Sequence, residues 1–184
     1  MHLQSCQSAA VATHLAFLRA INLGATRKFP KAAIVRATEA AGFTDVATHI
    51  NTGNVRFETR MRSRARIEAA LEAAYAEEAG FEVPTVVFTQ SELRAIAEEA
   101  ASFAHEGRHY VSLLKHEPSA ASVRELEARS TDAEVARVSG RAVHLMLGES
   151  YRDAWLSGAT VERLIGVSTN RNLTVINALV EKWC

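Results

Sequence analysis

The chain has 184 residues, 48% of them apolar and 23% charged, enough to bury a core without disulfide or metal staples, in one large domain or two small ones. Lys plus Arg and Asp plus Glu both number 21, so the net charge is zero. That balance speaks against a whole-surface electrostatic grip on nucleic acid or membrane, and leaves any anion site to be local.

Residues 1–12 have neither the cationic start nor the apolar centre of a signal peptide, and read as a loose leader. Cys6 in this leader and Cys184 at the other end form no C-x-x-C pair and no zinc spacing, so two free thiols in a reducing cytoplasm are expected. No apolar run reaches the roughly 18 residues of a membrane span.

A first strand is read over 13–19, apolar on both faces, and ends at Arg19. The loop after it carries Asn22, Gly24, Arg27 and Lys28, and Pro30 suits the first position of a helix that stops at Gly42. Val46 to Ile50 is a second strand, Asn51-Thr52-Gly53-Asn54 a tight turn, and Val55 to Glu58 a third strand. A second helix runs from Ser63 to Gly80, and a fourth strand carries Val83, Val86, Val87 and Phe88. Ala41-Gly42-Phe43 recurs as Ala79-Gly80-Phe81, each time closing a helix and entering a strand. The order β-α-β-β-α-β over 13–88 is the split βαβ, or ferredoxin-like, arrangement.

Thr89-x-x-Glu92 is a capping box that opens a linking helix and connector over 89–106. A second half over 107–184 then reads as strand His109–Lys115, a helix from Pro118 and Ser119, and a hairpin through Ser139-Gly140. A short helix near 153–165 and a last helix from Thr169 or Asn170 complete it. The expected fold is thus α+β: two packed ferredoxin-like halves, the second lacking its final strand, plus C-terminal helices.

In a split βαβ, the loop after the first strand and the hairpin between the second and third lie at the same end of the sheet. That end gathers Arg19, Arg27, Lys28, Asn22, Gly24, Thr52, Gly53 and Asn54 beside the N-terminus of the first helix. Cations, amides and a helix N-terminus make a candidate seat for a phosphate or carboxylate group. The same Asn and Gly residues serve ordinary turns, so turn structure stands as the plainer reading.

Other chemistry is sparse. His49, His105, His109, His116 and His144 are scattered without metal-ligand spacing, and no metal is expected. No Gly-x-Ser-x-Gly elbow or Walker loop occurs. An RNA-recognition mode needs aromatics on the two central strands, whereas the positions read as the open face are Ala16, Leu18, Asn54, Arg56 and Glu58.

Three stretches resemble a bacterial family, the domain-of-unknown-function 1697 family. They are Leu18-Arg19-Ala20-Ile21-Asn22-Leu23-Gly24, similar to its L-R-G-I-N-V-G start; Gly42-Phe43-Thr44-Asp45-Val46 through Ile50 to Phe57, similar to its G-F-x-x-V and S-G-N-V-x-F run; and Ser168 to Leu173, similar to its T-T-R-N-W signature. Ala20 replaces a glycine, His49 a tyrosine, Thr52 a serine and Leu173 the tryptophan, and Asn170 stands where threonine is usual. The resemblance implies a two-part α+β fold, no established activity and no known cofactor. It adds Arg171 and Asn172 as a third polar element, expected to join Arg19 and Asn54 at one end of the molecule.

The function expected is binding of a small anionic ligand, phosphate- or carboxylate-bearing and of a nucleotide-like kind, through Arg19, Asn22, Gly24, Arg27, Lys28, Thr52, Gly53, Asn54, Arg171 and Asn172. The alternatives are an enzyme using the same pocket, an interaction or assembly module, and a nucleic-acid-binding protein with a continuous basic groove.

Overall fold

A computed structural model describes residues 10–148 and 154–184. Along these the chain forms β1 (Ala12–Leu18), α1 (Lys31–Ala40), β2 (Thr44–His49), β3 (Asn54–Thr59), α2 (Arg64–Ala79), β4 (Thr85–Thr89), α3 (Gln90–Ser102), β5 (Arg108–Leu114), α4 (Ala120–Glu127), β6 (Glu134–Ser139), β7 (Ala142–Leu147), α5 (Gly158–Ile165), β8 (Ser168–Asn172) and α6 (Leu173–Trp183). The strands make two antiparallel four-stranded sheets, ordered β2-β3-β1-β4 and β6-β7-β5-β8. Each half is therefore a split βαβ, and the molecule is an α+β pair of such units.

The local signals explain most boundaries. Gly42 and Gly80 take positive φ (88° and 75°) just past the ends of α1 and α2, as helix-closing glycines do. Thr89 and Glu92 form a reciprocal capping box at α3. Pro30 sits one residue outside α1 as its N-cap, rather than at the first helical position.

Two further sequence expectations need correction. The second half does not lack its final strand: Ser168–Asn172 is β8, paired antiparallel with β5. The run Ser-Thr-Asn-Arg-Asn shows no apolar alternation, because β8 is an edge strand and its one buried long side chain, Arg171, is held by hydrogen bonds. Helix α6 begins only at Leu173, capped by Asn172, whose Oδ1 accepts from Thr174 N–H at 2.8 Å. The second correction concerns the face of sheet one. Ala16 pairs with Val55, and Phe17 with Asn54. Ala16 and Leu18 thus lie with Val55 and Phe57 under α1 and α2, while the opposite face, bearing Leu15, Phe17, Val86 and Phe88, is covered as well.

That second face builds the joint between the halves. Leu15, Phe17, Val86 and Phe88 share one buried cluster with Leu93 and Ile96 of α3, Val111, Leu113 and Ala142 of sheet two, and Ile176, Leu179 and Trp183 of α6. The outer face of sheet two packs Val143, Leu145 and Leu147 against Leu126 of α4 and Val161 of α5. The linking helix α3 is accordingly part of the shared core. Cys184 is half-buried and unpaired, while Cys6 and most of the expected leader lie outside the described residues.

The edge strand β4 is satisfied by side chains. Glu72 and Glu68 of α2 accept from Thr85 N–H at 2.8 Å and Val87 N–H at 2.9 Å. Arg141, from the β6–β7 hairpin, donates to Val87 O at 2.7 Å and lies 4.0 Å above the Phe88 ring. This blocks further strand pairing at that edge and fastens the second half to the first.

The β2–β3 turn is set by Gly53, which has φ +74° and whose O accepts from Leu18 N–H at 2.8 Å. A Cβ there would stand 2.7 Å from Leu18 Cβ and 2.8 Å from Ile21 Cδ1. Gly53→Ala should therefore cost about 2 kcal/mol or more in chemical denaturation, from strain and overlap together. An unchanged midpoint would show that the turn shifts freely.

Candidate functional site

The end of β1, the β2–β3 turn and β8 meet at one place, and Arg171 joins them. Its partner in the ladder is Val111 of β5, yet its side chain leaves sheet two and enters the first half. Nε donates to Asn54 Oδ1 at 2.7 Å. Nη1 donates to Thr169 Oγ1 at 2.7 Å and Asn170 O at 2.9 Å. Nη2 donates to Thr52 O at 2.7 Å and Leu18 O at 3.1 Å. The five N–H groups of a guanidinium are thereby all used. The residue is 7% exposed, and burial alone pushes its guanidinium down to about 10, so it stays protonated at neutral pH.

Each acceptor around Arg171 is neutral. Among the described residues no carboxylate is its partner, so a full positive charge sits buried without a paired countercharge. Asn54 is positioned in turn by Nδ2, which donates to His49 O at 3.1 Å and Thr52 Oγ1 at 3.0 Å. Asn54 and Arg171, placed together by the family-like pattern, are in direct contact.

The β1–α1 loop is pinned by Asn22. Its Oδ1 accepts from Phe29 N–H at 2.9 Å, and its Nδ2 donates to Asn51 O at 2.8 Å. Arg27 is a second tie, with Nε donating to Ala20 O at 2.6 Å, Nη2 to Glu82 O at 2.7 Å, and the guanidinium 4.5 Å from the Phe81 ring centroid. Positive φ recurs at Ala20 (56°), Asn22 (56°) and Gly24 (63°). Ala20 thus occupies, as an L-residue, a conformation that suits the glycine of the family pattern.

The Arg19 side chain bonds to the second half. Its Nη2 stands 2.6 Å from the carboxylate of Glu162 on α5, so this pair bridges the two halves. Between them opens a cleft of about 610 Å³, lined by Leu18 to Leu23, Asn51 and Thr52 from the first half and by Gly158, Glu162, Ser168 to Asn172 and Val175 from the second. Arg19, Arg171 and Glu162 are its charged lining residues. Gly24 and Lys28 fall on the other side of the Asn22–Asn51 contact, in an open hollow with Pro30 and Lys31. The ten candidate residues therefore separate. Arg19, Asn22, Thr52, Arg171 and Asn172 line the cleft, Gly53 and Asn54 hold its wall, Arg27 holds the loop, and Gly24 and Lys28 face elsewhere.

Glu162 went unrecognised in the sequence because an acid in a short helix reads as a solvated face. A histidine pair escaped for another reason: its members are 35 residues apart and meet through β5–β7 pairing. His109 Nε2 and His144 Nδ1 are 3.1 Å apart and share a hydrogen bond. His144 is fully buried, with Nε2 3.7 Å from Glu99, and His105 Nε2 donates to Leu147 O at 3.0 Å. Among the described residues no three His, Cys, Asp or Glu side chains are grouped to hold a metal ion. Burial pushes both imidazoles down to about 4, with the neighbouring histidines adding to the effect at His109.

Two outcomes follow from this geometry. Arg171→Met leaves buried carbonyls and Asn54 without donors and should lower stability by about 3 kcal/mol or more in urea titrations; Arg171→Lys, which keeps the charge but not the planar fork, should recover only part. A loss under about 1 kcal/mol for the Met variant would contradict the tie. The histidine pair gives a pH signature. Folded, the two rings gain protons near pH 4; unfolded, near about 6.5. The unfolded chain binds more protons in between, so stability should fall as pH drops from about 6.5 to about 4. Flat melting temperatures between pH 6.5 and 5, above the main carboxylate range, would contradict this.

Comparison with known proteins places the chain. A structure described as that of conserved bacterial protein SP0830 from Streptococcus pneumoniae shares the fold with a TM-score of 0.74, at 18% identity, over 94% of this chain and 98% of that one. No curated protein matches. The family model "Protein of unknown function (DUF1697)" matches residues 11–144, which include the β1 loop and the β2–β3 turn but end before β8. The chain belongs to the DUF1697 family, whose function is unknown.

Proposed function

We propose that this protein binds a small anionic ligand in the cleft between its halves. The observation that carries the reading is Arg171: a buried guanidinium at the cleft wall, fully hydrogen-bonded yet without a countercharge. Its donors are spent on the fold, so it acts through its field, which weakens little across a low-dielectric wall. Direct contact falls to Arg19, whose ion pair with Glu162 is partly exposed and thus weak enough to rearrange. Thr52 and Asn172 supply neutral polar groups, and Leu18, Ile21, Leu23 and Val175 an apolar wall for the uncharged part of the ligand.

Arg27 serves the loop itself, because both its hydrogen bonds go to backbone carbonyls and its guanidinium lies on the Phe81 ring. Lys28 belongs to a separate hollow and is not required.

A thermal-shift screen of nucleotides and phosphorylated metabolites tests the reading. At least one compound should raise the melting temperature of the wild type, and Arg19→Ala should reduce that rise several-fold while melting, without ligand, close to the wild type. Stabilisation that persists in Arg19→Ala, or is lost in Lys28→Ala instead, would contradict it.

A further inference from the structure

Resting on that reading, we propose that the Glu162 carboxylate is an internal stand-in for the ligand, and that the group which displaces it is a doubly charged phosphate. The charged residues lining the cleft are Arg19, Arg171 and Glu162. With Glu162 in place they sum to one positive charge; with Glu162 swung out they sum to two. A monocarboxylate taking its place would restore only the present state. A phosphate dianion would neutralise both arginines.

The neutral donors fit the same ligand. Asn22 N–H donates to Arg27 O at 2.6 Å, but among the described residues no backbone carbonyl takes the N–H of Ala20, Ile21 or Leu23. All three residues line the cleft beside Arg19. Carboxylate oxygens already lie against the Arg19 guanidinium at 2.6 Å, in the position a phosphate oxygen would take. The displaced side chain has an easy exit. Glu162 is one third exposed, and nothing but Arg19 forms an ion pair with it among the described residues. The swap therefore exchanges one exposed ion pair for a contact with twice the charge.

The test is a titration with inorganic phosphate at pH 8, where the ion is doubly charged, at ionic strength matched with chloride. Binding is read by thermal shift and by calorimetry on the full chain. Glu162→Gln should bind phosphate about threefold to fivefold more tightly than the wild type, the size of one exposed ion pair. Glu162→Ala should behave the same way, which guards against an effect of the glutamine itself. Arg19→Gln should weaken binding at least as much. Acetate at the same concentration should stabilise far less than phosphate. If both Glu162 variants bind phosphate no better than the wild type while Arg19→Gln binds worse, the stand-in role fails and the anion site stands. If acetate matches phosphate, the dianion assignment fails. If neither the wild type nor the Glu162 variants respond to phosphate, both this inference and the anion-binding reading fail.

Discussion

The arrangement of the two halves turns on the burial of one guanidinium. Arg171 lies on an edge strand of the second sheet, but most of its hydrogen bonds are made to the first half, at Leu18, Thr52 and Asn54. Those carbonyls belong to a turn and a strand end, where no ladder partner is at hand, and a buried carbonyl without a donor is costly. A side chain with five donors in a planar fork meets that need at one point. At another part of the joint Arg141 does comparable work, tying the β6–β7 hairpin to β4 through Val87 O. Between these ties lies the apolar cluster of α3, α6 and both sheets, removed from water.

The same residue links the fold to the proposed function. A lysine or a neutral amide could not satisfy so many acceptors, and choosing arginine brings a charge that the surroundings leave uncompensated. Desolvation without a nearby carboxylate is costly and is sustained here by hydrogen bonds to dipoles. The cleft beside it inherits a positive field, while the exposed Arg19–Glu162 pair bridges the halves. A structural tie and an electrostatic bias are thus one and the same feature.

How far this could be read in the sequence varied along the chain. The first half was legible because alternation, glycine stops and the capping box all agree there, from Ala12 to Thr89. Strand β8 was not, since its polar run resembles a helix start and its burial depends on tertiary partners of Arg171. The meeting of Arg171 with Asn54 was reachable only through the family resemblance, because nothing local in Ser168–Asn172 points to the turn more than a hundred residues earlier. As sequence, Arg27 and Arg171 read as ligand-binding cations. In the fold Arg27 bonds to backbone carbonyls and Arg171 to backbone and side-chain oxygens, and which acceptors lack partners is a property of the fold alone. The roles of Glu162 and of the His109–His144 pair likewise depend on tertiary neighbours, in the other half for Glu162 and on another strand for the histidines.

The most direct measurement is a backbone and arginine side-chain NMR titration of the wild-type chain with phosphate. The amides of Ala20 to Leu23 and Thr52 and the Arg19 Nε resonance should shift together and saturate with one dissociation constant, while Lys28, Lys31 and Ala32 at the start of α1 stay still. Shifts confined to Lys28 through Ala32, or none in the β1–α1 loop at saturating phosphate, would show that the cleft beside Arg171 is a joint between two halves and not a binding site.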